Sequence, residues 1–87
     1  MINPSNPRDG WKPRLRRWEA SLYLRVVYGL DVAPATLAKY ASVGGGPAFQ
    51  KVGRVPLYPT EELDTWALKR LGRLRRSTSD KDEEPET

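Results

Sequence analysis

From Trp18 to Leu30, WEASLYLRVVYGL, apolar residues recur in two separate rows. Ala20, Tyr23, Leu24 and Val27 follow i, i+3, i+4, i+7, the spacing of a helix face turned toward a core. Trp18, Leu22 and Val26 form a second row at four-residue steps, and one small core cannot take both. Gly29 predicts the end of this helix, since a left-handed residue commonly closes one. Pro34 predicts the start of the next, because its missing N–H would have no helical partner at that position. The second helix, PATLAKYAS, stops at Gly44, with Leu37 and Ala41 on one face and Tyr40 at the border. Ala35, Thr36, Ala38, Lys39 and Ser42 cover its remaining surface. Two short helices joined by Gly29–Ala33 are what a helix-turn-helix requires.

Beyond Ser42 the helical period breaks. SVGGGPAF places three glycines before a proline, which lets the chain reverse and forbids further helix. Phe49, Val52, Val55 and Leu57 then fall in two strand-like runs around Gly53-Arg54, a hairpin signature. Pro56 lacks a donor and suits an edge or a bulge, not a central strand. Two strands alone are marginal, so the hairpin is expected to lean on the helices. Thr60 reads as the N-cap of a last helix, with Glu61, Glu62 and Asp64 in its first turn. Leu63, Trp66, Ala67, Leu71 and Leu74 trace its apolar face, and Lys69, Arg70, Arg73, Arg75 and Arg76 crowd its far end.

The flanks change the picture through charge. Residues 1–17 are rich in proline and charge, poor in apolar residues, and read as an extended, mostly mobile basic arm. The stretch 18–76 reads as one domain, and 77–87, STSDKDEEPET, as a disordered acidic tail. That tail carries five acids and one base, so the rest of the chain holds fourteen bases against six acids. A small body that basic points to a polyanionic partner; a merely solubilising surface is the competing reading. No cysteine or histidine occurs, which removes disulfides, thiolate sites, the commonest zinc ligand and the commonest general base. No nucleophile–base pair or metal cluster is visible, so a non-enzyme without cofactor or metal is expected. No apolar run is long enough to span a bilayer and MINPSNPRDG lacks a signal peptide's apolar stretch, so the expectation is a soluble intracellular protein.

The order helix-turn-helix, hairpin, helix is a mainly α design with a small β-hairpin, a winged helix. Glu19–Leu68 resembles the winged helix-turn-helix domains of the MerR-like, excisionase class. Glu19-Ala20, Tyr23-Leu24, Pro34, Thr36-Leu37, Pro47, Lys51, Gly53-Arg54, Tyr58 and Leu63-Asp64-Thr65-Trp66 carry the resemblance in order and spacing. The GGGPAF entry to the wing is most similar to excisionases of integrative elements, including integrative and conjugative elements. The resemblance implies a bacterial, cytoplasmic, nucleoid-associated protein that binds double-stranded DNA at repeated sites near an attachment site. It would bend that DNA and direct a tyrosine recombinase (an integrase) toward excision. A transcriptional regulator of phage or mobile-element genes uses the same module, and a protein-interaction adaptor is a third reading.

By motif position, the resemblance puts Ala35, Thr36, Ala38, Lys39 and Ser42 toward the major groove. Only Lys39 among them is basic, so direct base readout is expected to be thin, with affinity coming from phosphates and DNA shape. Arg54 sits at the expected hairpin tip, where a guanidinium suits a narrow minor groove. Lys51 either contacts phosphate or is a plain exposed strand residue. Arg14, Arg16 and Arg17 either track phosphates or add nonspecific attraction. Tyr40 aligns with a family tryptophan and is expected to pack against the wing. The spare row Trp18, Leu22 and Val26 either supports head-to-tail self-association on DNA or is covered by Leu15 and the arm.

Overall fold

Local backbone chemistry sets most element boundaries in the computed structural model, which describes residues 10–77. The chain runs β1 (Arg14–Leu15), α1 (Arg17–Tyr28), α2 (Pro34–Val43), β2 (Gln50–Val52), β3 (Val55–Pro59) and α3 (Thr60–Leu71). Arg16 caps α1, and its N–H donates to Glu19 Oε1 at 2.8 Å. That is half of a capping box; the reciprocal bond is impossible because a guanidinium has no acceptor. At the other end Gly29 takes φ 70°, Gly29 N–H donates to the Arg25 carbonyl, and Leu30 N–H to that of Leu24. The bond from a left-handed glycine to the carbonyl four residues back is the αL type of helix close. Pro34 opens α2 as expected, and the Ala33 carbonyl accepts from Thr36 and Leu37 N–H at 2.9 and 3.0 Å.

Three strands, not two, form the antiparallel sheet among the described residues, in the order β1-β3-β2. The hairpin closes on Gly53-Arg54 with Val52 opposite Val55. Gly53 has φ +64° and, among the described residues, no non-glycine residue has positive φ, the arrangement of a type II′ turn, which glycine opens without a steric penalty. Pro56 lies in the central strand, contrary to expectation, opposite Lys51. Its neighbours explain the tolerance. In a two-residue hairpin the closing pair is hydrogen-bonded, so the next pair is not, and Pro56 owes β2 no donor. Its other edge is open, because β1 pairs only with Tyr58 and Pro59.

The core gathers Ala20, Tyr23 and Leu24 from α1, Leu37 from α2, Leu63 and Ala67 from α3, Tyr58 from β3 and Leu15 from β1. The result is a small α+β domain of three helices on a three-stranded sheet, compatible with a winged helix without being specific to it. No described helix is long and apolar enough to cross a membrane.

Several expectations need correction. The arm is extended only as far as its pairing demands. Residues 14–15 form a strand, Leu15 is 1% exposed, Trp11 lies edge-on to Tyr23 at 5.2 Å, and the Pro13 carbonyl accepts from Thr60 N–H. The domain therefore begins before Trp18; residues 1–9, and the tail from 78 onward, lie outside the described residues. Thr60 is the first helical residue of α3 and Pro59 its N-cap, with no side-chain cap bond; Thr60 N–H, which has no acceptor within the helix, donates to the Pro13 carbonyl. Asp64 is no dipole partner: its Oδ1 accepts from the hydroxyls of Tyr23 at 2.6 Å and Tyr28 at 2.7 Å, tying α1 to α3. Leu71 and Leu74 leave the core, being 48% and 96% exposed, since α3 ends at Gly72. Trp18 does not cover itself with Leu15, which is committed to the core; Trp18 is 62% exposed, Val26 50% and Leu22 43%.

Glu19 supplies a pH test of the α1 start. The backbone N–H of Arg16 and then the ammonium of Lys12, at 2.9 Å, favour its charged form and hold it below the ordinary value of 4.5. A carboxylate depressed by folding stabilises above its unfolded pKa, and that stability is lost as pH falls through the folded value. Glu19→Gln keeps an acceptor but loses the charge. It should cost about 1 kcal/mol at neutral pH and flatten the loss of stability below pH 4.5. Urea melts of both proteins from pH 3 to 7 read this directly; parallel pH curves would refute it.

Candidate nucleic-acid interface

No carboxylate lies between Asp31 and Glu61, while Lys39, Lys51 and Arg54 fall within that stretch. It comprises all of α2 and the whole hairpin. Among the described residues, three of the acids elsewhere are engaged: Glu19 by Lys12, Asp31 by Arg25 at 3.4 Å, and Asp64 by two tyrosines. The surface of α2 and the hairpin is thus cationic without internal neutralisation, the condition under which a polyanion gains most.

On α2, Ala35, Lys39 and Ser42 are exposed at i, i+4, i+7, while Thr36 and Ala38 are half-buried beside them. The opposite side carries Leu37, buried, with Tyr40 and Ala41 half-buried. The face is flat and short-chained apart from Lys39. Arg54 occupies the second turn position of the hairpin and is exposed, as is Lys51 on β2. Lys39, Lys51 and Arg54 have no hydrogen-bond or ion-pair partner among the described residues.

The three arm arginines separate. Arg14 is exposed, but its Nε donates to Gln50 Oε1 at 2.7 Å, which lays it along the hairpin. The register puts Arg14, Gln50 and Leu57 on one face of the sheet and Leu15, Tyr58 and Lys51 on the other. Arg17 is half-buried, donates from Nε to the Tyr58 hydroxyl at 3.1 Å, and lies 5.9 Å over that ring. Its guanidinium clamps α1 to β3. Arg16 remains exposed at the α1 cap. The strand pairing therefore brings Arg14 and Arg17 to the hairpin, while Lys39 stands on a separate helix.

A cluster absent from the sequence expectations joins α2, the glycine joint and α3. Trp66 Nε1 donates to the Gly45 carbonyl at 2.9 Å. Arg70 Nη2 donates to the Tyr40 hydroxyl at 3.0 Å, and its guanidinium lies 5.7 Å from the Tyr40 ring centre and 5.3 Å from that of Trp66. A Cβ at Gly46 would sit 2.6 Å from Tyr40 Cβ. Only a glycine lets the chain pass there, which explains the third residue of the GGG run. The i, i+4 spacing of Trp66 and Arg70 is the local signal, and the resemblance expects Tyr40 to pack against the wing; the pairing of Tyr40 with Arg70 has no signal in the sequence.

No protein-family model matches the chain, and no curated protein matches it in a sequence search. Among the described residues, no group of three or more acidic, histidine or cysteine side chains is placed to hold a metal ion.

Proposed function

We propose that this protein is a non-catalytic architectural DNA-binding protein, an excisionase-type winged helix-turn-helix that helps a tyrosine recombinase excise a mobile element. The observation that carries the DNA-binding part is the acid-free stretch spanning α2 and the hairpin, with three exposed cations unengaged among the described residues. In this reading α2 lies in the major groove. Lys39 contacts phosphate, while Ala35 and Ala38 offer methyl contacts and Thr36 and Ser42 short hydroxyls. The type II′ turn aims Arg54 into the neighbouring minor groove, with Lys51 and Arg14 beside the backbone that flanks it. With so few base-reading groups, selectivity comes from DNA shape and from repeated sites. The resemblance across Glu19–Leu68 supplies the excision role and the recombinase partner.

Fluorescence anisotropy with duplex oligonucleotides across a salt series tests this reading. A DNA binder shows log K falling steeply with log salt; an adaptor for an acidic protein shows no duplex complex. Footprints clustered beside an attachment core support excision, and footprints confined to promoters favour the regulator that uses the same module.

The exposed row Trp18, Leu22 and Val26 is the surface we assign to contacts between neighbouring copies on DNA. Leu22→Asp should leave single-site affinity within about twofold, because the residue is 43% exposed and outside the core. Binding to arrays of two or more sites should weaken about tenfold as neighbour contacts are lost. Unchanged cooperativity in gel-shift titrations would remove this assignment.

A further inference from the structure

We propose that Trp66, Tyr40 and Arg70 form a latch fixing the angle of the hairpin relative to α2. Arg70 and Trp66 are then positioning residues for the DNA-contacting groups, not DNA contacts themselves. This rests on the DNA-binding reading only for its consequence, since the latch exists without DNA.

The hairpin needs such a device. Its β2 strand is exposed at all three positions, so little burial holds it. One anchor is at the exit, where β3 runs directly into α3 and the Pro13 carbonyl holds Thr60 N–H at 3.0 Å. At the entry, Pro47 is buried and Phe49 packs on Tyr58 at 5.4 Å. These contacts hold the strand but leave open the path by which it leaves α2, which Gly45 and Gly46 set beside Tyr40 of α2 and Trp66 of α3.

Each contact constrains a different freedom. A Cβ at Gly46 would fall 2.6 Å from Tyr40 Cβ, an atom that adjoins the main chain and cannot rotate away, so the bare glycine sets how closely the chain passes α2. The indole N–H of Trp66 holds the Gly45 carbonyl and so fixes a peptide plane that glycine's freedom would otherwise leave loose. Arg70 holds the Tyr40 hydroxyl and stacks near both rings, locking the Tyr40 and Trp66 rotamers together. The Tyr40 and Trp66 ring centres stand 6.0 Å apart, within the range of a direct aromatic contact.

Leverage makes the latch matter. The path from Gly46 to Arg54 is roughly 25 Å of extended chain. A tilt of about 10° at the joint would therefore carry the Arg54 tip several ångströms, far beyond the roughly 0.5 Å tolerance of a preorganised contact. By sequence Arg70 belongs to the basic end of the last helix. Its stacked, hydrogen-bonded placement instead directs that guanidinium to the joint.

Two variants test the idea: Trp66→Phe, which keeps an aromatic ring but removes the N–H donor together with the second ring of the indole, and Arg70→Lys, which keeps the charge and removes the planar fork. In the free protein, both should raise amide hydrogen exchange through residues 44–55 by about tenfold and leave α1 unchanged. On duplex DNA, both should weaken binding about three- to tenfold with the salt slope retained. Arg54→Ala should then cost less in the Trp66→Phe background than in the parent, since a swinging tip has less contact to lose. Unaltered exchange in the hairpin, or an equal cost of Arg54→Ala in both backgrounds, overturns the latch. In a third variant that removes the charge, Arg70→Gln, a salt slope lowered by about one would make Arg70 a phosphate contact instead. If the parent binds no duplex, the functional reading falls while the exchange result still decides the latch.

Discussion

Leu15→Ala should lower the thermal midpoint by about 15 °C, a large loss for a residue of a two-residue strand. Leu15 is 1% exposed and packs with the residues of all three helices in one cluster. Truncating a buried leucine to alanine costs about 2–5 kcal/mol through lost transfer energy and the cavity left behind. In a domain this small each kcal/mol moves the midpoint by about 4–8 °C. Total stability is on the order of 5 kcal/mol, so part of the population would be unfolded even at room temperature. Its strand neighbour Arg14 is exposed and holds only Gln50, so Arg14→Ala should stay within about 0.5 kcal/mol. Circular dichroism melts of the two variants measure the contrast directly. A Leu15→Ala protein melting within a few degrees of the parent would mean that β1 is a dispensable arm after all.

The second large effect is on binding. Lys39→Gln, Lys51→Gln and Arg54→Gln combined remove every cation between Asp31 and Glu61. Each phosphate contact contributes about 0.9 to the salt slope on duplex DNA, so the slope should fall by between two and three. Near 0.1 M salt the same loss amounts to about 100- to 1,000-fold in affinity. All three side chains are exposed, so the melting midpoint should hold within a few degrees, separating loss of binding from loss of fold. Retention of affinity and slope in the triple variant would place the interface elsewhere, with the basic residues beyond Leu68 as the next surface to examine.

The two predictions draw on opposite ends of what the chain makes legible. The cationic stretch is visible at once, because the absence of acids over α2 and the hairpin is a property of composition. The role of Leu15 is not. It sits among prolines and arginines in KPRLRRW, a segment with no apolar period to announce a buried strand. A two-residue strand is specified by the edge it pairs with, here Tyr58 and Pro59, more than forty positions away. The same distance separates Tyr23 from Asp64, whose carboxylate was assigned to the helix dipole until the tyrosine hydroxyls claimed it. Thr60 N–H is likewise met from far along the chain, by the Pro13 carbonyl.

What the sequence determined alone is the set of local decisions. Gly29 ends α1, Pro34 opens α2, Gly53-Arg54 turns the hairpin, and the Ala20, Tyr23, Leu24 row faces inward. Each depends on backbone freedom or side-chain spacing within about one or two helical turns, where neighbours along the chain are also neighbours in space. Tertiary structure alone decided that Leu15 is core, that Arg17 clamps Tyr58, that Arg70 grips Tyr40, and that Trp18, Leu22 and Val26 stay outside. Those outcomes depend on which distant surface arrives first at a side chain. Burial and stacking are properties of that meeting, and no short window of residues contains it.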